Sequence, residues 1–196
     1  MNSIDTIKPA VRILRKNKIK FALMHCTNIY PTPPELVRLE CIKQLKKAFP
    51  DAVVGLSDHT ISNFTSYGAI ALGAKIIERH FVDNNSRKGP DILCSMTPLE
   101  LKQLIAGSKV IFKSTQLNKK IALKKEKKTM NFAFSSVVSI KDISPGEKLS
   151  KSNIWVKRPG IGDFLAKDYK KLLGKKVSKK IISGEFIKKK YLKNYK

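Results

Sequence analysis

The segment AVVGLSDHTISNFTSYGAIALGAKIIERHFV, residues 52–82, decides the fold of this chain. It opens and closes with short apolar runs typical of buried parallel β-strands, and the stretch between them is typical of a helix. Such spacing belongs to α/β architectures, in which ligands bind beyond the carboxyl ends of the strands. His59 lies just past the first run and His80 lies at the end of the second. We therefore expect two imidazoles at one rim of a parallel sheet, where they could hold a metal ion.

The same alternation continues on both sides of this segment. We predict a helix over about residues 3–17, a strand over FALMHCT (21–27), a helix over PELVRLECIKQLKKAF (34–49) and a helix from Pro98 to about Ser114. Repeated strand-helix units predict a parallel sheet with right-handed crossovers. The chain then changes character, because a charged stretch over residues 118–131 reads as a linker. Residues 132–196 carry short β-branched runs and turn sequences, which predict a small β-rich module.

Composition bounds the class of protein. The chain has 196 residues, 42% of them hydrophobic, as in a globular protein. No apolar stretch approaches the roughly 20 residues that span a bilayer, and the start lacks the pattern of a secretory signal, so we expect a soluble, cytoplasmic protein without a membrane partner. The three cysteines are widely spaced and are expected to be free thiols.

The net charge of +25 raises the question of nucleic-acid binding. Only six of the forty basic residues are arginine, and the lysines are spread along the whole chain. Proteins that read base edges favour arginine with interleaved aromatic residues. We therefore expect no specific nucleic-acid partner, and the positive field is expected to attract small anionic substrates.

Polar residues near the strand ends are the candidates for chemistry. Glu78 shares one face of its strand with His80, and Ser57 shares one face with His59, because residues two apart in a strand point the same way. A carboxylate within an apolar strand is costly unless it faces a polar cavity. The alternative for each histidine is a hydrogen-bonded structural role. His25 lies inside its strand and is expected to serve packing only.

Four further residues could bind a ligand, and each position also has a purely structural explanation. Asn28 and Tyr30 share a face just beyond the first strand, and their amide and hydroxyl donors suit a phosphate or a sugar hydroxyl. The alternative is a proline-rich turn capped by the asparagine. Asp91 follows a Gly-Pro pair and is either part of a turn or an acceptor for hydroxyls. Arg158 precedes Pro159 and is either projected from a loop tip toward a ligand or an ordinary surface residue.

A family resemblance covers the chain from about Ser3 to its end. The strings LMHCTNIYPTPPELVRL, GLSDHT, IIERHF, GPD, WVKRPGIGD and LLGKKV closely resemble bacterial N-acetylneuraminate (sialic acid) synthase, in the order in which that family has them. The resemblance implies a (β/α)8 barrel, the TIM barrel, followed by a linker and a small antifreeze-like SAF domain. Residues 1–117 would be the C-terminal part of the barrel and residues 132–196 the SAF domain. The implied reaction condenses phosphoenolpyruvate with N-acetylmannosamine and releases phosphate.

The resemblance also implies a role for each candidate residue. His59 and His80 would bind a divalent ion, usually Mn²⁺. Asn28 and Ser57 would contact the phosphate of phosphoenolpyruvate. Tyr30, Glu78 and Asp91 would hold the open-chain amino sugar, with Tyr30 and Glu78 as the catalytic residues. Phe132 and Arg158 would contact the sugar near its N-acetyl end, with the arginine reaching into the partner of a domain-swapped homodimer.

The chain departs from the family in the number of strands before the linker. A (β/α)8 barrel takes about 250 residues, whereas three strand-helix units follow the opening helix here. We expect the chain alone to be inactive, and to be either completed by a separately encoded N-terminal half of the barrel or the product of a decaying reading frame. Synthases for legionaminic and pseudaminic acids share the pattern, so the fragment could belong to one of those. A non-catalytic sugar-binding remnant and a basic interaction protein are the alternatives from other classes.

Overall fold

The computed structural model describes residues 1–117 and 119–193 and divides the chain into two compact units, Met1–Lys119 and Lys120–Lys196. Asn118, the first residue of the predicted linker, lies outside the described residues, as do residues 194–196 of the predicted second domain. Residues 119–123 carry no helix or strand, and helical structure begins at Lys124. Each unit is described by itself.

The first unit is an α/β fold built on a parallel sheet. Its strands are β1 (Ala22–Cys26), β2 (Val53–Asp58) and β3 (Ile76–Arg79), paired in the order β1-β2-β3. Its helices are α1 (Ile4–Lys16), α2 (Cys41–Ala48), α3 (Phe64–Ala71) and α4 (Pro98–Ser114), with short 3-10 helices at Pro34–Leu36 and Ile92–Cys94. The α/β class predicted from the alternating pattern is therefore confirmed.

The two faces of this sheet differ. One face is apolar: Val54 and Leu56 of β2 are buried in a core with residues of the surrounding helices, such as Ile42 and Ala69. On the opposite face, strand register aligns two rows, Met24-Gly55-Ile76 and Cys26-Ser57-Glu78. Ile76 and Glu78 are exposed there. The helices thus cover one face of the sheet and leave open the face that carries the predicted polar residues.

Helix boundaries follow the capping signals. Thr97 accepts a hydrogen bond from the Glu100 amide, and the Glu100 carboxylate accepts one from the Thr97 amide at 2.7 Å, which starts α4 as predicted. The hydrogen bond from the Thr97 amide lowers the pKa of Glu100.

The helix predicted over residues 34–49 is interrupted. Its first turn is a 3-10 helix that ends at Leu36, and α2 begins only at Cys41. Arg38 between them has a φ of 53°, a left-handed conformation that a continuous helix cannot contain. The Val37 carbonyl accepts a hydrogen bond from Nε2 of His25 at 2.6 Å, a tertiary contact made at the break.

The second unit has its own core and a two-stranded antiparallel sheet. β4 (Ser136–Ser139) pairs with β5 (Ile154–Lys157), and the helices are α5 (Lys127–Ala133) and α6 (Tyr169–Leu172). Short 3-10 helices lie at Lys124–Glu126, Ala166–Asp168 and Lys189–Tyr191. The core residues are Val137, Ile143, Leu149, Ile154, Phe164, Leu172, Val177, Ile181, Ile187 and Leu192.

Two predicted turns and one buried hydroxyl shape this unit. Gly146 and Gly184 have φ values of 88° and 91°, which glycine adopts without strain, in the turns SPGE and SGE. The buried Ser139 hydroxyl donates to the Ile182 carbonyl at 2.5 Å and thereby ties β4 to the second of these turns. Across residues 1–117 and 119–193, none of the helices combines the length and apolar character that crossing a bilayer requires.

Candidate active site

Strand register brings His59 and His80 together. Asp58, the last residue of β2, pairs with Arg79, the last residue of β3, and each histidine is the next residue in its chain. Because the strands are parallel, both histidines leave the sheet at its carboxyl end. Their ring centroids lie 5.2 Å apart, in an edge-to-face arrangement. His80, predicted within its strand, lies just beyond the last strand residue.

The imidazole of His59 is held in one orientation. It is 5% exposed, and Nδ1 lies 2.9 Å from the Thr27 carbonyl oxygen in the loop after β1. A carbonyl oxygen only accepts, so Nδ1 is the donor, and in the neutral ring the lone pair is then on Nε2. A histidine that binds a metal commonly donates its other ring N–H in this way. The backbone is fixed as well, because the Thr32 amide donates to the His59 carbonyl at 2.9 Å.

His80 stands beside an acidic and an aromatic residue. Its Nδ1 lies 3.7 Å from Oδ2 of Asp91, and both side chains are partly exposed. The ring of Tyr30 lies 4.2 Å from that of His59 and 5.7 Å from that of His80, measured between centroids. Partial burial, with contributions from thiol and carboxyl groups that include Asp91 and Glu78, raises the pKa of Tyr30, so its phenol stays protonated at neutral pH. The structure therefore brings these four predicted residues to one rim.

Ser57 and Glu78 lie below this rim on the open face of the sheet. They are register partners in neighbouring strands, and Glu78 is exposed while Ser57 is partly buried. Asn28, just past β1, is exposed, and its Oδ1 accepts a hydrogen bond from the Cys26 thiol at 2.8 Å. A carboxylate, a hydroxyl and an amide thus line the face that leads up to the two histidines.

The third histidine differs from these two. His25 lies on the helix-covered face, and its Nε2–H donates to Val37. Burial lowers its pKa from 6.5, with a smaller contribution from the nearby Arg38, although the hydrogen bond to Val37 opposes this. The structure places it in the packing environment that its position inside the strand predicts.

The two imidazoles at the rim are too few to close a structural metal site. Among residues 1–117 and 119–193, no group of three or more His, Cys, Asp or Glu side chains could hold a metal ion. A structural site is closed by protein ligands, usually four for zinc, whereas a catalytic site keeps positions open. Two imidazoles with a carboxylate close by could bind a divalent ion whose remaining positions are filled by water or carbonyl oxygens.

Phe132 and Arg158 belong to the second unit. Phe132 lies near the end of α5 and is 71% exposed, and Arg158 directly follows β5 and is also exposed. The segments that carry them are joined, because the Gly160 amide donates to the Asn131 carbonyl at 2.7 Å. The two predicted residues therefore lie on neighbouring segments of their unit.

Two functional candidates were missed in the sequence. Asp58 is 1% exposed and accepts hydrogen bonds from the turn after β2, and Arg79 donates to the same turn from the neighbouring strand. A signal was present for both. Asp58 precedes Thr60 by two residues, the spacing of a side-chain-to-amide turn, and Arg79 is a charge inside an apolar strand, like Glu78 beside it.

Comparison with known proteins gives the family. The model of the NeuB family matches residues 1–120, and that of the SAF domain matches residues 134–193. The N,N'-diacetyllegionaminic acid synthase of Campylobacter jejuni is 39% identical over 190 residues, which cover 95% of this chain and 56% of the relative. The N-acetylneuraminate-9-phosphate synthase of Drosophila melanogaster is 31% identical over 209 residues, which cover 94% of this chain and 56% of the relative.

Solved structures agree with this assignment. The crystal structure of an N-acetylneuraminic acid (sialic acid) synthetase from Leptospira borgpetersenii matches with a TM-score of 0.62 and 31% identity, over 66% of this chain and 45% of that one. The chain thus spans about half the length of the curated relatives it matches.

Proposed function

The chain belongs to the NeuB family, and we propose that it is the C-terminal part of a sialic-acid-synthase-type enzyme. The proposed reaction joins phosphoenolpyruvate to an acylated amino sugar, N-acetylmannosamine or the precursor of a legionaminic or pseudaminic acid. C3 of the enol forms a C–C bond with the aldehyde carbon, water adds at C2, and phosphate leaves with cleavage of its bond to C2. One observation carries the proposal: two histidines that are distant in sequence meet at the carboxyl rim of a parallel sheet, with Tyr30 and Asp91 beside them.

His59 and His80 would hold a divalent cation, Mn²⁺ in this proposal, which when bound would polarise the sugar aldehyde. The orientation of His59 supports this role, because its Nδ1–H is engaged by Thr27 and its Nε2 lone pair is the one left to bind.

The neighbouring residues would bind and orient the two substrates. Tyr30, kept protonated by its raised pKa, can donate a hydrogen bond to a sugar hydroxyl. Glu78 and Asp91 can accept hydrogen bonds from hydroxyls of the open-chain sugar, and Ser57 and Asn28 can donate to phosphate oxygens. The polar row of the open sheet face supports this division, because Ser57 and Glu78 stand side by side on it.

The proposal includes a partner that completes a barrel around this sheet. Within the described residues, β1 and β3 pair only with β2, and their outer edges are unpaired, as in an open part of a barrel. The segment directly after β3 is covered at one point, because Met96 forms backbone hydrogen bonds with His80 and Val82. Beside β3, under α4, lies a cavity of about 470 Å³ with an apolar lining that includes Ile77, Leu104 and Phe112. Arg79 also lines it, and over residues 1–117 and 119–193 its Nε is the one buried side-chain nitrogen or oxygen without a hydrogen-bond partner.

A strand added to the edge of β3 would account for both the apolar cavity and the unpartnered Nε of Arg79. Its side chains would fill the apolar cavity, and a backbone carbonyl could accept from Arg79 Nε, since buried donors are nearly always paired. We propose that a polypeptide carrying the N-terminal half of the barrel supplies this strand. The same proposal covers a domain-swapped homodimer in which Phe132 and Arg158 act on a partner's site, supported by their exposure on neighbouring segments.

Metal binding tests the site. Mn²⁺ titration of the full chain, followed by the electron paramagnetic resonance of the free ion, is expected to show one site that is lost in His59→Ala and in His80→Ala. His25→Asn is the matched control, because it changes the third histidine on the opposite face, and should retain the site. Equal Mn²⁺ binding in all four proteins would refute the assignment of the two histidines.

Turnover tests the rest of the proposal. The chain is mixed with phosphoenolpyruvate, Mn²⁺ and each candidate amino sugar, and the release of phosphate is measured. Each mixture is tested with and without a second polypeptide, the N-terminal half of a NeuB-family barrel. We expect release only in the complemented mixture. Full turnover by the chain alone would refute the need for a partner. Sugar binding without turnover in the complemented mixture would instead identify a binding remnant.

A further inference from the structure

We propose that Asp58 and Arg79 are positioning residues that together fix His59 in its binding orientation. The two residues are register partners at the carboxyl ends of β2 and β3, on the helix-covered face of the sheet. Neither touches the open face that carries the proposed substrate site. The inference rests on the proposed function for the role of His59, but it concerns a separate set of contacts, on the turn formed by residues 59–63.

The Asp58 carboxylate accepts hydrogen bonds from this turn and from the helix that follows it. Oδ1 accepts from the Thr60 amide at 3.0 Å, and Oδ2 accepts from the hydroxyls of Thr65 at 2.6 Å and Ser66 at 2.7 Å. Thr65 and Ser66 lie in the first turn of α3, so the carboxylate joins the end of β2 to the beginning of the next helix. Both oxygens of a fully buried carboxylate are thereby used.

The Arg79 guanidinium donates hydrogen bonds to the same turn. Its guanidinium donates to the carbonyls of Thr60 and Ser62, and to Oδ1 of Asn63 at 2.8 Å. Asn63 in turn donates to the Glu100 carbonyl at 2.9 Å, which connects the turn to α4. Three acceptors in different directions require the planar fork of a guanidinium, and a lysine ammonium on a single stem cannot reach all of them.

The consequence for His59 follows from the peptide group that joins it to Thr60. The oxygen of this peptide accepts from the Thr32 amide, and its nitrogen donates to Asp58. The next peptide is held at its oxygen by Arg79. With the ring held at Nδ1 by Thr27, backbone and side chain of His59 are both fixed. Losing a group that orients a metal-binding histidine typically weakens metal binding by about 10- to 100-fold.

The test uses the full chain and two readouts, one of which needs no metal. Nitrogen-15 NMR of the imidazole rings at fixed pH reports whether His59 is in the single Nδ1–H tautomer, and the chain has only three histidines to assign. Mn²⁺ titration reports affinity. We expect Arg79→Lys and Asp58→Ala to average the tautomers of His59 and to weaken Mn²⁺ binding by about 10- to 100-fold, the range for lost orienting partners of metal ligands. Asp58→Asn keeps an oxygen for the Thr60 amide and should restore most of both signals.

Arg15→Lys is the matched control. Arg15 makes a bidentate ion pair with Asp51 at 2.8 and 2.5 Å in the same unit, away from the turn, so its replacement should leave both readouts unchanged. The positioning role of Asp58 and Arg79, called the clamp below, is refuted if Arg79→Lys and Asp58→Ala show the same His59 tautomer and the same Mn²⁺ affinity as Arg15→Lys. It is also refuted if Mn²⁺ affinity falls while the His59 tautomer stays intact. A wild-type chain that binds no Mn²⁺ would count against the proposed function, and the tautomer measurement would still decide the clamp. Should Asp58→Ala not fold, Arg79→Lys decides alone.

Discussion

Gly55 lies where β2 and β3, the strands that lead to the two histidines, approach each other closely, and Gly55→Ala should disturb their spacing. A methyl group at this position would lie 2.6 Å from the Ile76 carbonyl oxygen and 2.9 Å from the Ile76 Cβ. It would also lie 2.5 Å from the Met24 sulfur, but that flexible side chain can turn away. The carbonyl oxygen belongs to the backbone of β3, which the sheet holds in place.

The expected cost follows from these distances. Ordinary van der Waals contact begins at 3.4 Å, so β3 must move by 3.4 minus 2.6, roughly 0.8 Å. Inserting a methyl group into a packed site of this kind costs about 1–3 kcal/mol. With a urea m-value of about 2 kcal/mol per molar, a loss of about 2 kcal/mol lowers the unfolding midpoint of the first unit by about 1 M.

The assay is urea unfolding followed by backbone amide NMR signals of the first unit. Gly89→Ala is the matched control, because a methyl group there lies 3.4 Å from the nearest atom of Ile92 and the φ of Gly89 is not left-handed. Its free energy of unfolding should stay within about 0.5 kcal/mol of the wild type. If Gly55→Ala and Gly89→Ala unfold at the same urea concentration, the close approach of β2 and β3 at Gly55 is wrong.

Other predictions concern pH and the second unit. Burial lowers the pKa of His25 in the folded chain below 6.5. Below pH 6.5 the unfolded chain therefore binds a proton that the folded chain does not, and the free energy of unfolding falls as the pH drops from about 6.5 toward the folded-state pKa. An NMR titration midpoint for the His25 ring at or above 6.5 would contradict this. Ile154→Ala should destabilise the second unit by about 2–5 kcal/mol, because Ile154 is fully buried. The fluorescence of Trp155, the single tryptophan, reports this unit, and Ile182→Ala at a 59% exposed position should change little. Thr97→Ala removes the cap of α4 and should cost about 1 kcal/mol, measured by urea unfolding against Thr115→Ala at the other end of the helix.

The sequence determined the parts of the molecule that depend on local pattern. Apolar runs placed β1, β2 and β3, and α4 begins at Pro98, the residue predicted from the sequence. The βα alternation predicted a parallel sheet, and a parallel sheet by itself implies that His59 and His80 lie at one rim. These features need only the periodicity of side chains and the chemistry of caps, which neighbouring residues carry by themselves.

Only the tertiary structure decided which partners the polar groups find. At the break before α2, the Val37 carbonyl accepts a hydrogen bond from His25, which lies 12 residues earlier in the chain. The turn after His59 accepts hydrogen bonds from Arg79, which lies 20 residues after His59. The open sheet face and the unpartnered Nε of Arg79 likewise depend on what packs beside β3. The hydrophobic pattern is a property of consecutive residues. A hydrogen bond between distant residues, in contrast, forms only where the fold brings the two groups within about 3 Å of each other.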